Sequence, residues 1–227
     1  MRTHARSIAA ALGAGMLVAA CGGSATLETP TATTTATATA AGTTASAGAW
    51  TVTDKSKATI RVREQLVGVS LPSDAVLTAT GAKGSFELNS DGTFESGSKI
   101  TFDLTTLSSD ESQRDNFIKQ DTLQVRQFPT ATFVPTKTSG LTLPLAASGT
   151  FTFTLTGDLT IKGKTKAVTF DVTAKRDGSD LTATATANPS WKFGDFGMTA
   201  PSVPLRVLSV TDEIRATIDI VATGPKA

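Results

Sequence analysis

The chain has 227 residues and a mass of 23.3 kDa, so it has room for one good-sized domain but not for two large ones. It carries 21 basic and 20 acidic residues, and this balance gives no electrostatic reason to expect a nucleic-acid partner. The single histidine and the single cysteine are His4 and Cys21, both near the N-terminus. If that end is a targeting segment, the rest of the chain lacks the imidazole and thiol on which most nucleophilic, proton-relay and zinc chemistries depend.

Residues 1–20 have the pattern of a secretory signal peptide, because Arg2 and Arg6 precede an uncharged apolar run from Ser7 to Ala20. That run is shorter than the roughly 20 residues that a membrane-spanning helix needs. Small residues lie directly before Cys21, and this ending resembles the lipoprotein box of bacteria. The resemblance implies that Cys21 is acylated and anchors an exported protein to the extracytoplasmic side of a membrane. The alternative is ordinary signal cleavage that leaves a free thiol.

Residues 21–48 are predicted to be a disordered linker that follows the anchored cysteine. From Ala25 to Gly48 the sequence is mostly threonine and alanine, and Glu28 is its only charge. No hydrophobic periodicity is present, so nothing compensates the entropy of ordering this segment. It is either a spacer that lifts a domain at residues 49–227 from the membrane or a leader without a spacing role.

From residue 49 onward, apolar and polar residues alternate with a period of two, which predicts β-strands. The longest run extends from Phe151 to Lys162, and further runs begin near residues 58, 99, 168, 181 and 214. One apolar face and one polar face are typical of antiparallel sheets. Hairpins are predicted at Lys162-Gly163-Lys164 and at Arg176-Asp177-Gly178-Ser179.

One segment has a helical pattern, extending roughly from Asp110 to Val125. Ser109 is its predicted cap, acidic residues near its start suit the helix dipole, and Phe117 and Leu123 are predicted to point inward.

The predicted fold is all-β, an antiparallel eight-stranded barrel with one short helix. A run from Phe151 to Ile161 would extend over roughly 35 Å, which is long for a sandwich strand. The inward positions also differ in size, because several strands carry large phenylalanines while the run from Leu181 carries Ala183, Ala185 and Ala187. Small side chains on one wall leave volume in which such a barrel can hold a ligand. The residues alone leave open that neighbouring phenylalanines fill this volume.

Six short patterns follow one another in order from residue 50 to about residue 222. They are Trp50-Thr51-Val52-Thr53, Gly84-Ser85-Phe86, Arg114-Asp115 followed by Phe117, Phe128-Pro129-Thr130-Ala131-Thr132-Phe133, Gly157-Asp158-Leu159-Thr160-Ile161-Lys162-Gly163, and Asp195-Phe196-Gly197-Met198. Together they resemble the YceI-like family, which implies a lipocalin-like barrel that binds polyisoprenoids or related lipids. The chain departs from the family at Glu64, where a histidine is frequent, and at Phe193, where an arginine is frequent, so polar contacts of those groups are not carried over.

The leading hypothesis is a binding or carrier protein for one long apolar lipid, of the polyisoprenoid or isoprenoid quinone type, with no other cofactor and no metal. Burial of the lipid chain would supply the affinity. Arg114 is the candidate contact for a polar head or for the rim of the cavity. The predicted ligand-binding residues are Ile60, Val62, Phe102, Arg114, Phe117, Phe133, Phe151, Phe153, Leu155, Phe170, Val172, Ala183, Ala185, Phe196 and Ile218.

Two other functions stay open at this point. An enzyme would depend on carboxylates, and Asp110, Glu111, Asp115 and Asp121 lie close together in sequence, although such residues commonly solvate a helix face. A cell-surface adhesive or sugar-binding β-sandwich would need exposed aromatic residues, and the chain has only two tryptophans and no tyrosine. The sequence therefore favours a protein that is not an enzyme.

Overall fold

The computed structural model describes residues 48–203 and 205–224. The predicted signal peptide, the acylated Cys21 and all of the linker except Gly48 lie outside the described residues.

Eleven strands and one short α-helix form the domain. The strands are β1 Trp50–Val52, β2 Lys57–Leu66, β3 Ser73–Ala79, β4 Lys83–Phe86, β5 Lys99–Asp103, β6 Thr130–Ser139, β7 Ser148–Ile161, β8 Lys164–Asp177, β9 Asp180–Ala187, β10 Val207–Val210 and β11 Arg215–Thr223. The α-helix α1 is Ser112–Phe117, and 3-10 turns lie at Leu104–Thr106 and Phe193–Phe196.

These strands make one closed, antiparallel barrel. Three pairs of strands lie end to end, and each pair occupies one position in the barrel. The first pair is β1 and β2, which both bond to β11. The second is β3, which bonds to β2, and β4, which bonds to β1, and the third is β10 and β11, which both bond to β2. Counting each such pair as one gives eight barrel strands. The ring runs through β4, β5, β6, β7, β8 and β9 to β11, which returns to β1 at Thr51 and Thr223. The predicted antiparallel eight-stranded barrel with one short helix is confirmed, and a sandwich is excluded.

Among the described residues, every strand pairing lies between Trp50 and Thr223, and the sheet closes around one core within this segment, which has the anatomy of a domain that folds by itself. Both predicted hairpins are present. Lys162 and Gly163 join β7 to β8 with φ of 50° and 70°, the left-handed pair that a two-residue hairpin requires.

Neighbouring strands run in opposite directions, so the connections alternate between the two ends of the barrel. We call the end that carries segments 67–72, 104–129 and 188–206 the mouth end, and the end where β1 begins and β11 finishes the closed end. At the closed end Trp50 is 1% exposed, and the guanidinium of Arg176 lies 5.1 Å from the centroid of its ring. A Cβ atom on Gly224 would lie 2.6 Å from this ring, which explains why a residue without a side chain stands there.

The observed helix is shorter than the predicted one, and the prediction of Ser109 as its cap is wrong. The α-helix covers Ser112–Phe117, and a π-helical turn follows at Ile118–Thr122. The structure ends the helical segment where Gln124 takes a positive φ of 57°. The cap is Glu111, which accepts a hydrogen bond from the backbone N–H of Gln113, because the hydroxyl of Ser109 is engaged by Asp115.

Candidate functional site

The barrel encloses a cavity of about 880 Å³ that extends from its middle to the mouth end. Inward-facing side chains from opposite sides of the barrel line it, for example Ile60 on β2 and Leu159 on β7. Only seven lining residues are polar or charged, and all of them lie at the mouth end. They are Glu64, Asp110, Glu111, Gln113, Arg114, Thr122 and Arg206. The deeper part of the cavity is therefore apolar.

Ten of the fifteen predicted site residues line this cavity. They are Ile60, Val62, Phe102, Arg114, Phe117, Phe133, Leu155, Phe170, Ala185 and Ile218. The alternation of apolar residues placed seven of them on the inner face of strands, whereas Arg114 and Phe117 were predicted from the helical segment and Phe133 from the family resemblance. Contact between these residues and a ligand stays a prediction.

Five predicted residues do not line the cavity, and here the prediction is corrected. Phe151, Phe153, Val172 and Ala183 have inward positions, but they lie nearer the closed end, in the layer below the cavity. That layer is filled, since the side chains of Trp50 and Arg176 close the barrel beneath it. Phe196 is fully buried outside the cavity, behind Trp191.

A column of aromatic rings forms one wall of the cavity. The ring centroids of Phe133 and Phe170 are 5.4 Å apart, those of Phe170 and Trp191 are 5.9 Å apart, and those of Trp191 and Phe196 are 5.7 Å apart. All three pairs are edge-to-face, with interplanar angles between 76° and 88°, a favoured geometry for aromatic pairs. Three of the rings line the cavity, and Phe196 supports the column from behind.

Gly157 on β7 makes room for this column. A Cβ atom at this position would lie 2.5 Å from the ring of Phe133 and 2.5 Å from the carbonyl oxygen of Val134. Any side chain would therefore push Phe133 from its place in the wall.

The turn at Phe193–Phe196 holds the outer end of the column against β8. Asp195 accepts a hydrogen bond from the backbone N–H of Lys192 and pairs with the ammonium group of Lys166 at 2.5 Å. Hydrogen bonding from Lys166 and from the backbone of Lys192 lowers the pKa of Asp195. In the segment that resembles the family's Asp-Phe-Gly, Asp195 and Phe196 thus support the site without lining it, while Met198 lines the cavity.

A buried ion pair lies at the mouth end of the cavity. Arg114 Nη2 donates to Glu64 Oε1 at 2.7 Å, and the two side chains are 18% and 8% exposed. Arg114 Nη1 donates to Asp110 Oδ1 at 2.5 Å and to Ser109 Oγ at 3.2 Å. Burial works to lower the pKa of Arg114, but the hydrogen bond to Asp110 and the charge of Glu64 outweigh it and raise this pKa. Arg114 is thus a fixed cation shared by two carboxylates.

Other lining residues were missed by the sequence analysis, and the signals for them differ. Glu64 continues the inward alternation of Ile60 and Val62, so the period of two could have placed it. Leu159 lies on the same face of β7 as Leu155 and could have been found in the same way. Trp191 lies in an irregular segment, where no periodicity gives its direction.

Among the described residues, no helix is long and apolar enough to cross a membrane. Within the same part of the chain, no group of three or more histidine, cysteine, aspartate or glutamate residues is placed to hold a metal ion.

Comparison with known families agrees with this architecture. A family model described as the YceI-like domain matches residues 50–222, the whole of the barrel. The chain belongs to the YceI-like family. The match begins at Trp50 of β1 and ends in β11, so the family's unit and the closed barrel coincide.

Curated relatives of this YceI-like chain include the UPF0312 proteins of Pseudomonas putida and Pseudomonas fluorescens. Each is 36% identical to it over 124 residues. For the Pseudomonas putida F1 protein the match covers 50% of the chain and 59% of the relative, so it spans about three fifths of that protein.

Solved structures show the same fold at low sequence identity. A polyisoprenoid binding domain from Saccharophagus degradans, implicated in plant cell wall breakdown, superposes with a TM-score of 0.59 at 12% identity, over 78% of this chain and 99% of that one. BcnA of Burkholderia cenocepacia gives a TM-score of 0.51 at 20% identity, over 74% of this chain and 97% of that one. These similarities support the barrel fold of the YceI-like chain.

Proposed function

We propose that this YceI-like protein is a membrane-tethered, extracytoplasmic carrier that holds one long apolar lipid, of the polyisoprenoid or isoprenoid quinone type, inside its barrel. The observation that carries the proposal is the cavity of about 880 Å³, apolar in depth and polar at its mouth. The name of the Saccharophagus degradans neighbour, a polyisoprenoid binding domain of the same fold, supports this ligand class.

The cavity suits a ligand that is bound by burial. Its volume lies in the upper part of the range of about 300–1,000 Å³ that is usual for small-ligand sites. Each methylene group that moves from water into such a cavity contributes about 0.8 kcal/mol. A long hydrocarbon chain would therefore bind tightly through the apolar walls, and the protein would need no catalytic group.

The tether is proposed from the N-terminal sequence. The signal-like residues 1–20 and the small residues before Cys21 support export and acylation, and the threonine- and alanine-rich residues 22–48 support a flexible connection. With the acyl chains in a membrane, the barrel would stay near the lipids that it carries.

The lipid proposal is tested by mass spectrometry on residues 48–227, produced in a bacterial periplasm and purified without detergent. We expect one apolar lipid per chain in the native spectrum, released on denaturation and identified in an organic extract. Ala185→Phe should abolish this mass, because the new ring fills the cavity from β9. Thr186→Phe is the matched control, since Thr186 is the exposed neighbour on the outer face of the same strand. A protein that is empty and also refuses added polyprenols and quinones would contradict the proposal.

The tether is tested separately on the full chain. Mass spectrometry of the N-terminal peptide should show acyl groups on Cys21, and Cys21→Ser should move the protein from the membrane fraction to the soluble fraction. An unmodified cysteine would refute the anchor and leave the lipid-binding proposal untouched.

A further inference from the structure

The buried pair of Glu64 and Arg114 indicates which kind of polar head group the lipid carries. Resting on the proposed function, we infer that the cavity selects a lipid with an uncharged, hydrogen-bond-donating head, such as a long-chain alcohol or phenol, and that it excludes lipids whose head is a phosphate or a carboxylate. Glu64 is the acceptor for the head hydroxyl.

The polar groups fix where a head could lie. Every polar or charged residue that lines the cavity belongs to the mouth end, while the deeper walls are apolar. A polar head buried in the depth would lose its hydrogen bonds to water, at a cost that the apolar walls could not offset. The head would therefore lie at the mouth beside Glu64 and Arg114, with the chain extending inward.

The carboxylate of Glu64 can accept a further hydrogen bond. Among the residues that the structure describes, its carboxylate accepts one hydrogen bond, from Arg114 to Oε1 at 2.7 Å. The residue is 7% exposed and lines the cavity, so the accessible part of its carboxylate faces the cavity. A ligand hydroxyl would supply the missing donor, and a hydrogen bond to a charged acceptor is stronger than one between neutral groups.

An anionic head would meet unfavourable charges at the same place. Arg114 is already paired with both Glu64 and Asp110. The ionisable residues that line the cavity are three acids (Glu64, Asp110, Glu111) and two bases (Arg114, Arg206), a net charge of −1. A phosphate or carboxylate would add negative charge beside a buried carboxylate, where solvent screens poorly. At Arg114 it would compete with two carboxylates that already balance the charge of the guanidinium.

The test is a competition between two probes with the same chain, nonaprenol and nonaprenyl phosphate, at equal concentration against residues 48–227, read by native mass spectrometry. We expect the alcohol to be bound in at least about tenfold excess, which corresponds to about 1.4 kcal/mol. In Glu64→Gln this excess should fall to near parity, because the buried negative charge is gone. Asp180→Asn is the control, since it removes one negative charge from an exposed hairpin at the closed end.

The outcomes separate this inference from the proposed function. If the unaltered protein binds nonaprenyl phosphate as well as nonaprenol, or better, the inference about the head group is wrong, and the proposal of a lipid carrier stands. Binding of neither probe would overturn both. If Glu64→Gln does not fold, the competition on the unaltered protein still decides the question.

A second, independent observation is an exposed apolar rim around the mouth. Seven large hydrophobic side chains are exposed among the described residues, and five of them lie in segments 67–71 and 205–208. The five, which we call the rim, are Leu205 (93% exposed), Leu71 (74%), Leu208 (66%), Val67 (47%) and Val69 (47%). The two segments are adjacent, because the backbone N–H of Val67 donates to the carbonyl of Arg206 at 2.9 Å. Val67, Val69 and Leu205 also line the cavity, so apolar surface continues from its interior to the outside.

We propose that the rim docks on the surface of a lipid bilayer. Exposed apolar groups gathered at one place mark interaction sites, and here they adjoin an opening of lipid-binding size. The scarcity of charge selects the bilayer as the occupant, because Arg206 is the only charged residue in segments 65–73 and 203–210. The leucines would enter the interface between headgroups and acyl chains, and a lipid could then pass into the cavity without crossing water.

Sedimentation with vesicles tests the rim. Residues 48–227 should sediment with vesicles of phosphatidylcholine. The double variant Leu71→Asn with Leu205→Asn should bind about tenfold more weakly or worse, because each leucine would lose its apolar burial. The control is Val76→Asn with Val134→Asn, which removes the other two exposed hydrophobic side chains. No sedimentation of the unaltered protein, equal binding by the rim variant, or a dimer in light scattering that the rim variant abolishes would each overturn the proposal.

Discussion

The two ends of the barrel are built from the same strands but differ in packing. At the closed end, Trp50 and Arg176 fill the interior, and Gly224 lies against the tryptophan ring. At the mouth end, the interior is open over about 880 Å³, and large apolar residues such as Leu205 stand in solvent. Filled volume stabilises a fold, whereas open apolar volume leaves binding energy for a ligand. The difference indicates that stability resides mainly at one end and binding at the other.

The strongest test of this division is Trp50→Ala. We expect a loss of about 3–5 kcal/mol in the free energy of unfolding, because a large buried ring is removed from a packed layer. Urea unfolding of residues 48–227 measures it, and the lipid content per folded molecule should not change. Phe117→Ala, on the partly exposed α1 at the mouth, should cost less than half as much and should weaken lipid binding. Equal costs for the two variants would show that the ends do not differ in this way.

Arg176→Ala should have the next largest effect. The side chain donates to the carbonyl oxygens of Gly178, Leu145 and Ala146 at 2.9–3.3 Å while it covers the ring of Trp50. Because hydrogen bonds from a charged donor are strong, we expect a loss of about 1.5–3 kcal/mol. Arg63→Ala removes an exposed arginine that pairs with Asp74, and it should cost less than about 1 kcal/mol. A similar cost for both would mean that Arg176 behaves as a surface residue.

Gly157→Ala should affect both stability and binding, since Gly157 packs against Phe133 and lies on β7 between Leu155 and Leu159, which line the cavity. The added methyl group would push the ring of Phe133, which lines the cavity, and we expect a loss of about 1–3 kcal/mol from overpacking. Lipid affinity should fall in the same variant. Gly194→Ala is the matched control, since a Cβ there meets no atom within 4 Å. Unchanged lipid affinity in Gly157→Ala would show that the aromatic wall does not shape the site.

The alternation of residues was sufficient to predict an antiparallel sheet and the inner face of the longer strands. Ile60, Phe102 and Leu155 were placed inward because a strand has a period of two, and they line the cavity. The same rule could not say how deep the cavity reaches. Phe153 and Leu155 share one face of β7, yet only Leu155 lines the cavity, and toward the closed end the interior is filled by Trp50 of β1 and Arg176 of β8.

Irregular segments account for the other omissions. Trp191 and the rim residue Leu205 lie in connection 188–206, where no periodicity of the sequence indicates the direction of a side chain. The end of the helix near Gln124 depends on a local backbone conformation with a positive φ, for which the sequence has no glycine as a signal. Regular strands were therefore predictable, and the connections that complete the mouth were not.

The smallest expected effect concerns the support of the aromatic column at the mouth end. Because Lys166 and the backbone of Lys192 lower the pKa of Asp195 below its ordinary value of 3.8, this carboxylate contributes stability that is present above that pH and is lost as the pH falls through the lowered pKa. Asp195→Asn should cost less than about 1 kcal/mol at pH 7, since the pair with Lys166 is partly exposed. The difference between the two proteins in the free energy of unfolding in urea should shrink from pH 5 to pH 3.

Asp103 serves as the control, because its pKa is also lowered, through hydrogen bonds from Thr105. Asp103→Asn should show the same trend with pH and no change in lipid affinity, because Asp103 does not line the cavity. A difference for Asp195→Asn that grew on acidification would mean that Asp195 is destabilising when charged, and its turn would then owe its position to the packing of Phe196 alone.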